Sequence, residues 1–262
     1  MKASAAALDL VRPRPDGVVV LIYHRVGGAS GLEVDLPDAL FEAQVAALAE
    51  SGRAVALGAA LDRLRHVPEE GPAPVVVTFD DGTADFVDRA LPILVRHRVP
   101  ATLYAATAFI EEGRPFPDDG RPVSWGGLAD ACSTGLVEVG SHTHRHRLLD
   151  RLPDAEVADE LDRSIELIGE HLGHPPLDFA YPKAVPGSPA AARAVRARFR
   201  SAALAGTRAN PYGSTDPHTL ARSPVQRSDG MRWFHRKAAG GMELEDRLRQ
   251  VLNRQRYAAA TT

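Results

Sequence analysis

Two adjacent carboxylates end an apolar run in "VVVTFDDG", Val75 to Gly82, and three histidines crowd into "GSHTHRHRLL", Gly140 to Leu149. Neighbouring like charges repel, and loss of water worsens the repulsion. A divalent cation beside one aspartate removes that penalty. His142 and His146 are four residues apart, a spacing that suits chelation, with His144 as the intervening alternative. Two imidazoles and one carboxylate leave positions open for water, the mark of a catalytic rather than a structural metal site. One aspartate then binds the ion while its neighbour stays free as a base. The bland alternatives are that Asp80, Asp81 or Thr83 caps the helix starting near Asp85, and that the histidines form a solvated polar loop. Three histidines directly after a strand weigh against the latter.

A third stretch, "DFAYPKAVPG" from Asp178 to Gly187, ends a strand in the fixed turn of Tyr181-Pro182. Backbone N–H groups there, such as that of Lys183, are candidates for holding an oxyanion. Alone, this stretch reads more readily as a plain turn.

Chemistry of this kind needs strands to carry it. Val18–Tyr23, Val75–Phe79, Ala101–Ala105, Leu136–Val139, Leu177–Tyr181 and Ser201–Leu204 read as buried strands. Between them fall helical patterns at 38–50, 57–64, 85–97, 125–133, 153–172 and 189–198, while 109–122 and 206–217 read as loops. Buried strands alternating with helices mean parallel pairing, in a β/α barrel or an open doubly wound sheet. In both, reactive groups gather at the carboxyl ends of strands, where all three stretches lie. The tail at 243–256 reads as a charged amphipathic helix. Residues 1–262 are expected to form one domain, with frayed ends at 1–16 and 258–262.

Composition narrows the function. A net charge of -3 over 262 residues offers no basic excess for nucleic acid or an anionic membrane. One cysteine, Cys132, excludes an intrachain disulfide and a metal site built on several thiolates. No apolar run approaches the ~20 residues of a membrane span. The N-terminus, interrupted by Asp9 and followed by Arg12 and Arg14, is a poor signal peptide, so the expected location is cytoplasmic.

"TFDDG", "SHTHRH" and "FAYPK", in this order, resemble the polysaccharide deacetylases, carbohydrate esterase family 4, with the NodB-homology domain. The similarity runs from about Val18 to about Val225, and "TFDDG" paired with a His-Thr-x-x-His segment is highly specific. The resemblance implies a distorted (β/α) barrel and metal-dependent removal of N-acetyl groups from amino sugars. Carried over, Asp81, His142 and His146 bind Zn²⁺, with Co²⁺ or Ni²⁺ as substitutes, Asp80 is the general base and Thr143 supports the loop. "LIYHRVG" looks like the opening of a subgroup in which the general-acid histidine comes first in the chain, here His24. The third motif departs from the family pattern: Ala180 stands where an arginine normally braces the base, and Lys183 and Ala184 replace an aromatic residue and a glycine. Arg222, in "LARSPV", is the candidate to supply the missing guanidinium, and Tyr181 and Lys183 are the candidate oxyanion or substrate contacts. The expected substrate is an N-acetylated saccharide. The competing readings are a deacylase of a small N-acyl metabolite and a non-catalytic glycan-binding descendant.

Overall fold

A computed structural model describes residues 16–65 and 72–242. The tail at 243–256 lies outside the described residues, as do the frayed ends apart from Asp16. Seven parallel strands close into a barrel in the order β1 (Gly17–Tyr23), β4 (Val75–Phe79), β5 (Ala101–Ala105), β6 (Val137–Ser141), β7 (Asp178–Ala180), β8 (Ser201–Ala205) and β10 (Leu220–Pro224), with β10 pairing back onto β1. This is the expected distorted (β/α) barrel rather than the open sheet. Two short strands, β2 (Arg25–Val26) and β3 (Asp35–Leu36), form a ribbon beyond β1, and β9 (Asn210–Pro211) runs antiparallel along its start.

The apolar strands are buried on both faces, and their alternation sorts the core into layers. Along β1, Val19, Leu21 and Tyr23 pack outward against the helices with Phe41, Val45 and Phe79. Val18 and Val20 pack inward with Val76, Tyr104, Ala180, Ala203 and Leu220. His24 follows on the inward phase.

Helices occupy Asp38–Glu50, Leu57–Arg65, Trp125–Ser133, Asp154–Leu172 and Pro189–Arg198, close to the expected bounds. The expected helix at 85–97 begins instead with a π-helical turn, Phe86–Ala90, before the α-helix Leu91–His97. Three elements lacked a strong sequence signal. Thr107–Glu111 is a helical turn, Gly230–Ala238 is a helix, and β10 is the closing strand. "LARSP" is short and carries an arginine and a proline, so it does not read as a barrel strand until its neighbours are in place. Among the described residues no helix is long and apolar enough to cross a membrane.

Candidate active site and metal centre

The site forms where β1, β4, β6, β7 and β10 end. Asp80 leaves β4 with its amide donating to the Tyr23 carbonyl at 3.1 Å, which continues the β1–β4 ladder by one residue. The chain then turns sharply. Asp81 takes φ 75° and Gly82 φ 101°, conformations that cost little for glycine but about 1–3 kcal/mol for an aspartate. The strain is held by hydrogen bonds on either side: the Asp81 carbonyl accepts from Ala106 N at 2.9 Å and the Gly82 carbonyl from Val123 N at 2.9 Å. This turn gives the two carboxylates different main partners, although His142 Nε2 lies 3.9 Å from Asp80 Oδ2 as well as 3.7 Å from Asp81 Oδ1.

Asp80 points into the barrel and is buried. Arg222 holds it with two hydrogen bonds, Nη1 to Oδ1 at 2.6 Å and Nη2 to Oδ2 at 2.8 Å. Arg222 is itself buried, and Nη1 also donates to Thr78 Oγ1 at 3.1 Å. Burial pushes the Asp80 carboxyl up, but the Arg222 guanidinium, with His142 and His24 beside it, outweighs burial and holds it at about 2.

Asp81 turns to the histidines. Its Oδ1 lies 3.7 Å from His142 Nε2 and 3.4 Å from His146 Nε2. One ligand atom from each of Asp81, His142 and His146 falls within 4.8 Å of the others. A tetrahedral ion with ligand distances of about 2.1 Å needs ligand–ligand edges of about 3.4 Å. The two Asp81–His distances are near that edge, and an acidic oxygen with two imidazole nitrogens suits a divalent cation. His142 is prepared for it: Nδ1–H donates to the Ala180 carbonyl at 2.8 Å, which leaves the Nε2 lone pair facing the cluster. Burial and the adjacent His142 ring push His146 well below its ordinary value, so its ring is neutral at neutral pH.

The loop geometry separates His144 from its neighbours. Thr143 takes φ 65° and His146 φ 57°, so the segment is a bent loop rather than a helical turn. His144 faces the other way, buried, with Nδ1 2.9 Å from Thr107 Oγ1 and its backbone N–H donating to the Glu160 carbonyl at 3.0 Å.

Tyr181 packs on the other side of β7 from Ala180. Its N–H donates to the Ala203 carbonyl at 3.0 Å in the β7–β8 ladder. Its ring packs edge-on against Phe179, centroids 5.0 Å apart, in the outer layer with Leu149, Val157 and Ala191. Strand alternation explains this: Phe179 and Tyr181 face out, Ala180 faces in. Lys183 stands exposed in the turn that follows, at φ 52°, close enough to His146 for its charge to be felt there.

Sequence reasoning passed over Thr78 and the Ala180 carbonyl. Thr78 was readable, since alternation places it on the same face as Asp80 two residues on. The use of the Ala180 carbonyl was not, because it depends on how β6 and β7 pair.

The sequence profile of the family described as polysaccharide deacetylase matches residues 68–201, just over half of the chain. A comparison with curated proteins returns no match. Among solved structures, the chain is similar to IcaB from Ammonifex degensii, at 26% identity and TM-score 0.75, over 86% of this chain and 99% of that one. It shares the fold of the deacetylase PplD from Streptococcus pyogenes, at 17% identity and TM-score 0.75 over 86% and 99% of the two chains. It also shares that of a de-N-acetylase from Aggregatibacter actinomycetemcomitans, at 18% identity and TM-score 0.70 over 85% and 100%. The profile match takes in Asp80, Asp81, His142 and His146 but neither His24 nor Arg222, and on its extent the chain belongs to the polysaccharide deacetylase family.

Proposed function

We propose that the protein hydrolyses the N-acetyl group of an amino sugar in a polysaccharide, using a divalent cation held by Asp81, His142 and His146. The observation that supports this most is the division between adjacent carboxylates: Asp81 faces two imidazoles while both oxygens of Asp80 are gripped by Arg222. When bound, the cation would acidify a water molecule and polarise the amide carbonyl. Asp80 orients the attacking water and accepts its proton. At about 2 it is ionised throughout the neutral range, though a weak base, so orientation is a large part of its role. Arg222 keeps that carboxylate ionised and fixes its plane. His24 delivers a proton to the leaving nitrogen, because an amine leaves poorly without one. The turn at Lys183 supplies the contact to the oxyanion that forms on the carbonyl oxygen.

Acetate release tests this reading. Protein stripped with a chelator and reloaded with Zn²⁺ or Co²⁺ is assayed on polymeric and monomeric N-acetyl sugars. Turnover of polymers only after reloading is the expected result. Turnover of monomers alone points to a small-metabolite deacylase, and no turnover with a filled metal site points to a binding protein. Full activity after exhaustive chelation overturns the metal assignment.

A further inference from the structure

Tyr104 is a buried group that this mechanism leaves unused. It lies wholly inside the barrel, and its hydroxyl has no hydrogen-bond partner among the described residues. A buried hydroxyl without a partner is unfavourable, so the reason for an aromatic residue here lies in the ring. That ring sits under the Arg222 guanidinium, with Cζ 5.0 Å from its centroid, within the ~6 Å reach of a cation–π contact. The in-plane donors of Arg222 already serve Asp80 and Thr78. The flat face of a guanidinium carries no hydrogen to donate, and an aromatic ring is what can cover it.

The barrel makes room for this arrangement. Gly140 on β6 is the register partner of Tyr104 on β5. A Cβ at Gly140 would stand 2.6 Å from Tyr104 Cδ1 and 2.8 Å from its Cε1, closer than any real contact. Ala180 and Ala203 add small residues from β7 and β8 to the same layer. The Tyr104 ring, beneath Arg222, thus takes up space that a side chain at position 140 would fill.

We propose that Tyr104 is a positioning residue for the deacetylation: its ring face holds the Arg222 guanidinium in the plane that grips both oxygens of Asp80, and so aligns the base. This rests on the reading of Asp80 as that base. The test compares Tyr104→Phe, Tyr104→Leu, Arg222→Ala and the Tyr104→Leu/Arg222→Ala double variant, each loaded with Zn²⁺ and assayed for acetate release. Tyr104→Phe keeps kcat within about twofold, because the ring remains. Tyr104→Leu lowers kcat about 3- to 30-fold, with KM and metal content unchanged. In the Arg222→Ala background the same change has no more than about a twofold effect. Equal losses in the Phe and Leu variants overturn the proposal, and this contrast decides the matter even if Arg222→Ala does not fold. An undiminished Tyr104→Leu loss in an impaired Arg222→Ala enzyme overturns it alone. An Arg222→Ala enzyme with unchanged kcat overturns the proposal, because the guanidinium then aligns nothing, whereas an active Asp80→Asn enzyme overturns the base assignment itself.

Discussion

Arg222, on the strand that closes the barrel, grips both carboxylate oxygens of Asp80, just past the end of β4 and 142 residues earlier in the chain, at 2.6 and 2.8 Å. Both partners are buried, so each offsets the cost of burying the other. Removing one leaves an uncompensated charge. Arg222→Ala is expected to destabilise the protein by about 3–5 kcal/mol, read as a lower midpoint in chemical denaturation. A loss under ~1 kcal/mol would show that water reaches Asp80 and solvates it.

The same pair makes stability depend on acid. The folded Asp80 carboxyl sits at about 2, below its ordinary value of 3.8. A group depressed on folding contributes stability above its unfolded pKa, and the contribution is lost as pH falls through the folded one. In metal-free protein Asp80 therefore contributes roughly 2 kcal/mol, present above about pH 4 and lost on the way down to about pH 2. Unfolding free energies for wild type and Asp80→Asn should converge across that window. A difference that stays constant with pH would rule out the depressed carboxyl.

The paired aspartates should fail differently. Asp80→Asn abolishes turnover yet retains metal, because only the base is lost. Asp81→Asn loses metal and turnover together. Metal content by elemental analysis, alongside acetate release, separates them, and equal metal loss in both variants would contradict the division of roles.

The two nearby histidines give the matching contrast. His146→Ala is expected to lose metal. His144→Ala keeps it and instead loses about 1–3 kcal/mol of stability, because the buried Thr107 hydroxyl is left unpaired. Metal loss from His144→Ala with retention in His146→Ala would reverse the ligand assignment.

His24→Ala should keep its metal and lose roughly 10²–10⁴-fold in kcat on an amide substrate, the usual worth of proton transfer. The deficit should shrink on an ester with a good leaving group, which needs no proton. The same modest deficit on both substrates would show that His24 is structural.

Much of this site was legible in local sequence. An apolar run ending in two aspartates and a glycine places carboxylates at a strand end. Histidines four apart after another strand place ligands at the same end of the fold, because parallel strands in alternating β/α units all point one way. The strands and helices that carry these groups also followed from periodicity alone. What only the tertiary structure decided is which atoms meet. Choosing His146 over His144 depends on positive φ at Thr143 and His146, a bend that no periodicity announces. The outward direction of the Tyr181 ring, and the commitment of its N–H to β8, likewise follow from how β7 sits in the barrel. Arg222 reaches Asp80 because β10 pairs with β1 and closes the ring, and the Tyr104 ring beneath its guanidinium fits because Gly140 has no Cβ. Those contacts join residues far apart in the chain. Local pattern records which face a residue presents, whereas barrel closure determines what that face meets.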